Sequence, residues 1–267
     1  MGINSRKVVV VGCGFVGSSS AFALMQSQLF SEMVLIDADQ KRAEGEAIDI
    51  SHGMVFASPM KIYAGTYDDI SDAAVIVITA GANQKPDETR LDLIKKNSRI
   101  MKSIVGEIKK REFEGILLIV SNPVDILTYI AQKEFNYPRN LLIGTGTLLD
   151  TARFNKMLAD LCGVDAKNVT GFVLGEHGGT SFIPWNAVNI VGIPFHDFQK
   201  QFGLKEPVDC EKLLHEVKVS GLDIVELKGY TSSGIALSVC RLVGAIMRNE
   251  RAVVPASVVL EGEYGLE

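Results

Sequence analysis

The chain has 267 residues, 47% of them hydrophobic and 22% charged, and a formal net charge of −5 at pH 7. A chain of this length and apolar content forms one large domain or two ordinary ones. Its acidic balance gives no electrostatic footprint for nucleic acid, and no Lys/Arg cluster is long enough to favour an anionic membrane surface. No apolar run reaches the ~18 residues of a membrane-spanning helix, so we expect neither nucleic acid nor membrane as a partner.

The cysteines and the N-terminal segment bear on the cellular compartment. Cys210 and Cys240, the nearest pair of the four, are 30 positions apart, and Cys13 and Cys162 are more distant. These spacings match neither a redox pair nor a zinc site, so we expect free thiols, no metal and a reducing cytoplasm. Residues 6–23 superficially match a secretion signal. We reject that interpretation because their glycines lie where a strand should turn into a helix.

The first half of the chain alternates apolar strands with helical patterns. Strands are predicted at 7–11, 33–37, 61–65, 74–79 and 116–120, and helices at 15–29, 39–50 and 88–111. Beyond residue 145 helices are predicted at 148–161, 209–226 and 231–248, and strand-like runs at 169–175 and 186–192. We therefore expect an α/β domain with a doubly wound parallel sheet at 1–145 and a second, mixed α+β domain at 146–267, packed together around a cleft.

Three glycines follow the first strand and open the first helix: Gly12, Gly14 and Gly17, in "GCGFVG". This spacing is typical of a Rossmann dinucleotide site, although a tight strand-to-helix turn explains the glycines equally well. Asp37 ends the second strand 20 positions after Gly17. A carboxylate there accepts the ribose hydroxyls of NAD and repels the 2′-phosphate of NADP, with a helix cap as its alternative role. Together the two features favour NAD.

Further positions could carry chemistry. Asn122 follows a buried strand, with Pro123 expected at the first position of the next helix, and its amide would either face a ligand or cap that helix. Asp150 and Arg153 are three apart on a predicted helix, so they form an exposed ion pair or else orient a histidine and grip a carboxylate. Of the four histidines only His177, in "GEHGGT", follows an apolar strand within glycines. It is either a catalytic or a satisfied loop histidine.

Six motifs then carry a family resemblance. In chain order, "GCGFVG", "AGANQKPDETR", "SNPVDILTY", "GTGTLLDTARF", "GEHGGTSF" and "KGYTSSGIA" resemble those of the L-lactate dehydrogenases, especially the bacterial ones. The resemblance covers residues 6 to 267. It implies a cytoplasmic homotetramer that uses NAD to interconvert pyruvate and L-lactate.

The resemblance implies a role for each candidate residue. His177 would give a proton to the carbonyl oxygen of pyruvate, and Asp150 would stabilise its imidazolium. Arg153 would hold the substrate carboxylate, and Arg90 would polarise the carbonyl when its loop closes. The other matches are the substrate-facing Asn122 and Thr231 and the cofactor contacts Gly12, Gly14, Val16, Gly17, Asp37, Arg42, Tyr67, Gly81, Ala82, Ser103, Val120, Asn122, Thr145 and Ile235.

Gln84 distinguishes two branches of the family. The malate dehydrogenases have an arginine here, which pairs with the second carboxylate of oxaloacetate. A neutral amide leaves that charge unpaired, at a cost of about 2 to 5 kcal/mol. We therefore expect pyruvate and L-lactate as substrates. Malate or another 2-hydroxy acid is the alternative, since Gln84 is also consistent with a solvated loop residue.

The chain departs from the family pattern in three ways. Gly179 replaces the acid that usually follows "HG", and Asp87 replaces a loop glycine, so we expect an altered rate and slower loop closure. Asn155 and Thr170 replace the arginine and histidine that bind fructose 1,6-bisphosphate, so we expect no activation by that sugar. The family continues beyond the final "EGEYGLE", which predicts an incomplete second domain. A chain that binds NAD without catalysis is the remaining alternative.

Overall fold

The computed structural model describes residues 2–82, 89–202 and 207–265, without the side chain of Arg90. These residues form two compact units. The first unit contains the described residues of Met1–Thr145, Ser232–Ala252 and Ser257–Glu267, and the second contains those of Gly146–Thr231 and Val253–Ala256. The sequence pattern changes at the first of these boundaries, but it does not indicate that the chain returns to the first unit after Thr231.

A six-stranded parallel sheet is the centre of the first unit. Up to residue 145 its elements are β1 (Asn4–Val11), α1 (Phe15–Gln26), β2 (Glu32–Ile36), α2 (Gln40–His52), β3 (Lys61–Ala64), β4 (Ala73–Ile78), α3 (Arg90–Lys110), β5 (Ile116–Ile119), α4 (Val124–Phe135) and β6 (Leu142–Gly144). The strand order is β3-β2-β1-β4-β5-β6. The chain thus adds β2 and β3 on one side of β1, and then β4, β5 and β6 on the other side. This is the doubly wound Rossmann arrangement, so the predicted fold class is confirmed.

The central strands carry continuous apolar runs because helices cover both faces of the sheet. Every residue of β4 is buried, and Val8, Val9 and Val10 of β1 have no exposed surface. All five strands predicted in this half are present. The sixth strand, β6, has three residues and was not predicted, since so short a run carries no periodicity.

Helix α4 begins one residue later than the sequence predicts. Pro123 was expected at the first helical position, but it is the N-cap, with an extended backbone (φ −78°, ψ 114°), and the helix begins at Val124. A proline has a fixed φ that suits either position, so the sequence alone did not distinguish them.

The second unit combines helices with a small antiparallel sheet. Its elements are α5 (Leu148–Cys162), β7 (Val169–Thr170), β8 (Asn189–Ile190), β9 (Ile193–Pro194), α6 (Phe195–Phe202) and α7 (Cys210–Lys228), with strand order β7-β8-β9. Phe154 and Leu158 of α5 are fully buried, and the ring of Phe154 lies edge-on to Trp185 at 5.5 Å. These contacts pack α5 in the core of the second unit.

The run "VTGFVLG" was predicted as one strand over 169–175, but only its first two residues are β7. Val173 instead makes its backbone hydrogen bonds with threonine side chains of α5. An apolar pattern of this kind indicates that a segment is buried. This segment is buried because it packs beside helix α5, not because it lies in a sheet.

Helix α8 (Ser233–Met247) belongs to the first unit and packs against α1. The Cys240 thiol on α8 donates a hydrogen bond to the carbonyl of Ala23, at 3.7 Å. The predicted helix at 231–248 therefore exists, but in the unit that contains the parallel sheet. Within the described ranges, no helix is both long and apolar enough to cross a bilayer.

Candidate active site

The glycine loop of the first unit is shaped by close backbone contacts. A Cβ on Gly12, whose φ is +99°, would lie 2.5 Å from the nitrogen of Ala80. A Cβ on Gly17 would lie 1.8 Å from the carbonyl oxygen of Gly12. Gly14 is different, because a Cβ there would meet no other described part of the chain within 4 Å, apart from its immediate neighbours. Two glycines thus allow the loop to pack, and the third leaves open space at the start of α1, which suits the approach of a pyrophosphate.

Thr79 and Asp37 hold this loop from two sides. The Thr79 hydroxyl donates to the carbonyl of Gly12 at 2.7 Å. The Asp37 carboxylate accepts a hydrogen bond from the Cys13 backbone N–H at 2.6 Å and one from the Asp39 N–H at 2.8 Å. Asp37 therefore orders both the glycine loop and the turn before α2, whose N-cap is Asp39. Sequence reasoning did not identify Thr79.

Cys13 lies within the loop as a protonated thiol. Its side chain is buried, and burial, followed by the charge of Asp37, raises the pKa of the thiol to about 12. A thiol in this state adds no negative charge beside the open space at Gly14.

The other residues that match the family's cofactor contacts are in the first unit. Val120 and Thr145 are buried at the ends of β5 and β6, and Ile235 is half-buried on α8. Tyr67 is half-buried under the guanidinium of Arg111, and burial, with the charge of Glu107, raises the pKa of its phenol to about 12. The remaining matches are the half-buried Val16 and Ala82 and the exposed Arg42, Gly81 and Ser103.

Asn122 follows β5 and is exposed. Its carbonyl accepts a hydrogen bond from the Asn97 side chain of α3, at 2.8 Å. The same Asn97 amide also binds the backbone of Ala82. Sequence reasoning did not single out Asn97, because a lone polar residue in an amphipathic helix does not reveal its partners.

In the second unit, Asp150 joins His177 to Arg153. One carboxylate oxygen lies 2.6 Å from Nδ1 of His177, and the other accepts a hydrogen bond from Nη1 of Arg153 at 3.1 Å. The side chain of Asp150 is 7% exposed, that of Arg153 is 15% exposed and that of His177 is 29% exposed. The two helix residues are therefore not an exposed surface pair, and the histidine ring is fixed by a buried carboxylate while retaining access to solvent.

Helix α5 also holds the segment that leads to His177. The Thr147 hydroxyl donates to the carbonyl of Val173 at 2.6 Å, and the Val173 N–H donates to the Thr151 hydroxyl at 2.9 Å. Thr147 is the N-cap of α5 and Thr151 lies four residues later in its first turn, a spacing that puts both on one side of the helix. That spacing was the available signal, but the sequence did not show which backbone segment the threonines bind.

The loop after His177 is held by α7. The Lys218 ammonium donates to the carbonyl of Gly179 at 2.8 Å. Among the described residues, a Cβ on Gly179 would meet no atom within 4 Å beyond its chain neighbours, and the φ of this glycine is not positive. Position 179 therefore has room for a side chain close to a lysine.

For the remaining predicted residues, the structure gives a position and a burial or does not describe them. Thr231 is half-buried in the second unit, immediately before Ser232, the N-cap of α8. Asn155 has a buried side-chain oxygen without a hydrogen-bond partner in the described part of the chain, and Thr170 is exposed on β7. Gln84, Asp87 and the side chain of Arg90 lie outside the described residues.

Comparison with known proteins identifies the family. The family model for the lactate/malate dehydrogenase NAD binding domain matches residues 6–144, and that for the lactate/malate dehydrogenase alpha/beta C-terminal domain matches residues 147–267. The L-lactate dehydrogenase of Acetivibrio thermocellus is 47% identical over 98% of this chain and 83% of that protein. L-lactate dehydrogenase 2 of Clostridium acetobutylicum is 49% identical over 100% of this chain and 84% of that protein.

Solved structures agree with this result. The minor L-lactate dehydrogenase of Enterococcus mundtii in its ligands-bound form has a TM-score of 0.95 and 43% identity, over 99% of this chain and 85% of that chain. A lactate dehydrogenase from a deep-sea metagenome library also has a TM-score of 0.95, with 41% identity over 100% of this chain and 85% of that chain. The chain therefore belongs to the lactate/malate dehydrogenase family of NAD-dependent oxidoreductases.

Proposed function

We propose that the protein interconverts pyruvate and L-lactate, with NAD as the hydride carrier. The observation that carries this proposal is the buried Asp150 carboxylate, which binds His177 through one oxygen and Arg153 through the other. A proton donor and a carboxylate-binding guanidinium held by one carboxylate match what a 2-oxo acid offers, which is a carbonyl oxygen beside a carboxylate. The high identity to proteins named L-lactate dehydrogenase supports the same substrate pair.

His177 is the proposed proton donor for pyruvate reduction. Its Nδ1 faces Asp150, and we assign the transferred proton to the other ring nitrogen, Nε2. NADH, when bound, supplies a hydride to C2 of pyruvate. The imidazolium of His177 gives its Nε2 proton to the carbonyl oxygen, which completes the C–OH group of lactate and leaves a neutral ring. Asp150 stabilises the charged imidazolium before this transfer and fixes the ring tautomer after it.

The substrate is held by polar groups in the proposed mechanism. Arg153 binds the carboxylate through two parallel hydrogen bonds, a geometry that a planar guanidinium provides. Arg90 polarises the carbonyl oxygen, and Asn122 and Thr231 face the substrate. A neutral Gln84 leaves the second carboxylate of oxaloacetate without a counter-charge, which favours pyruvate.

Residues of the first unit would hold the cofactor. The open space at Gly14 and the start of α1 suit the pyrophosphate, and the Asp37 carboxylate at the end of β2 suits the ribose hydroxyls. The negative charge of Asp37 disfavours a 2′-phosphate, so NADH is the expected partner rather than NADPH.

We also propose that the protein works as a homotetramer in a reducing cytoplasm, without activation by fructose 1,6-bisphosphate. Several large apolar side chains are exposed in the described units, as subunit contacts require. They include Phe56, 93% exposed, and Leu227, 86% exposed. All four cysteines are free thiols, and Asn155 and Thr170 offer no positive charge to a bisphosphate.

The proposal is tested by following NADH absorbance after adding pyruvate or oxaloacetate to the purified chain. We expect a higher kcat/KM with pyruvate than with oxaloacetate, and with NADH than with NADPH. The His177→Asn variant should lose at least ~10²-fold in kcat, whereas His215→Asn, an exposed change on α7, should not. A higher kcat/KM with oxaloacetate would identify the chain as a malate dehydrogenase. Cofactor binding without turnover of either acid would identify a catalytically inactive chain.

A further inference from the structure

The Asn97 side chain joins two segments of the first unit. Its Oδ1 accepts the Ala82 N–H at 2.8 Å, and its Nδ2 donates to the carbonyls of Asn122 at 2.8 Å and Ala82 at 3.3 Å. Asn97 is only 4% exposed. The side-chain amide therefore bonds only backbone amide groups in these contacts, with its oxygen as acceptor and its nitrogen as donor.

The two segments are the ones that the proposed function requires to be fixed. Ala82 is the last described residue before the segment that contains Gln84. Asn122 follows β5 and is assigned to the substrate. Next to these bonds, the Ser121 hydroxyl donates to the carbonyl of Ala80 at 2.7 Å. The segments that follow β4 and β5 are therefore cross-linked by two side chains, those of Ser121 and Asn97.

We propose that Asn97 is a positioning residue, which sets the backbone of Asn122 and of Ala82 for catalysis. This inference rests on the proposed function for its kinetic consequence. Asn97 acts through Asn122 and Ala82, and it is not proposed to contact substrate.

The chemistry of the contact distinguishes an amide from a carboxylate of the same shape. In Asn97→Asp a charged carboxylate still accepts from the Ala82 N–H, but it repels the two carbonyl oxygens that Nδ2 bonds in the native protein. Protonation converts the new group into a donor that again reaches the Asn122 carbonyl. Burial raises the pKa of an introduced carboxyl, so this conversion falls in an accessible pH range.

The kinetic test measures kcat/KM for pyruvate of Asn97→Asp relative to the unaltered protein, from about pH 8 to about pH 5.5. We expect the variant to lose at least about tenfold at the upper pH and to regain most of that loss at the lower pH. The matched control is Asn140→Asp, the same charge change at an exposed site of the first unit, whose ratio should stay near one throughout. A variant with full activity at pH 8, or with an equal loss at every pH, would overturn the proposal.

A second measurement needs no turnover. In Asn97→Leu the Ala82 N–H loses its acceptor, so hydrogen exchange followed by mass spectrometry should show faster exchange at Ala82 while β1 and β4 stay protected. Unchanged exchange at Ala82 would contradict the proposed link. Because hydrogen exchange is measured without substrate, failure of the unaltered chain to reduce pyruvate would count against the proposed function, whereas the exchange at Ala82 would still test the Asn97 link.

Discussion

Asp150 is the single residue on which the proposed chemistry depends most. The Asp150→Asn change keeps the shape of the side chain but removes the charge that stabilises the His177 imidazolium, and it offers an amide donor to Nδ1. We expect kcat to fall by about a hundredfold or more. Steady-state kinetics measure this, with Asp160→Asn as control, because Asp160 is an exposed carboxylate on the same helix and pairs with Lys156. If Asp150→Asn kept more than half of the native kcat, Asp150 would have no role in proton transfer.

Gly179 has room for the acid that the family usually has. Because a Cβ there meets no atom within 4 Å, Gly179→Asp should fold normally, with a free energy of unfolding within about 0.5 kcal/mol of the native value. The new carboxylate would lie near Lys218 and tighten the loop of His177. We expect a two- to fivefold rise in kcat/KM, in line with the ~0.2–1 kcal/mol of an exposed ion pair. Gly179→Ala adds the Cβ without the charge, and identical kinetics for the two variants and the native protein would contradict this account.

Helix α5 organises the cluster of Asp150, Arg153 and His177 in the second unit. Its Thr151 hydroxyl is the acceptor for the Val173 N–H, so Thr151→Val leaves a buried donor without a partner. We expect the free energy of unfolding to fall by about 1–3 kcal/mol and kcat to fall with it, because the segment before His177 loosens. Urea unfolding and kinetics measure both effects. The control is Thr128→Val, because Thr128 is a buried threonine of α4 whose hydroxyl donates to the Val124 carbonyl of its own helix. An equal loss of kcat in both variants would show that the Thr151 contact is not specific.

The elements also show what a sequence can predict. The central strands were predictable because both faces are buried and the apolar runs are continuous, and the glycine loop was predictable because its backbone contacts exclude every other residue at positions 12 and 17. Hydrogen bonds between distant segments were not, since nothing local to Asn97, Thr147 or Thr151 indicates which backbone groups they bind. The strand predicted at 169–175 was largely wrong for the same reason.

At the scale of the whole molecule, exposed apolar side chains in both units favour assembly. Val55 is 86% exposed and Phe56 is 93% exposed in the first unit, and Leu222 and Leu227 of α7 are 71% and 86% exposed in the second. Large apolar side chains that are exposed in one chain become buried when they lie in a subunit interface. We expect light scattering to give four times the mass of the chain at micromolar concentration, and fructose 1,6-bisphosphate to change neither this mass nor the KM for pyruvate. A single-chain mass at every concentration would contradict the tetramer.

Hydride transfer to pyruvate is the central claim, and isotope transfer tests it most directly. The purified chain is supplied with pyruvate and NADH that carries two deuterium atoms at C4 of the nicotinamide, and the product is isolated and analysed by mass spectrometry and chiral chromatography. We expect L-lactate with one deuterium at C2, in an amount equal to the NADH consumed. Lactate without deuterium at C2, the D enantiomer, or no lactate from a chain that binds NADH would contradict it.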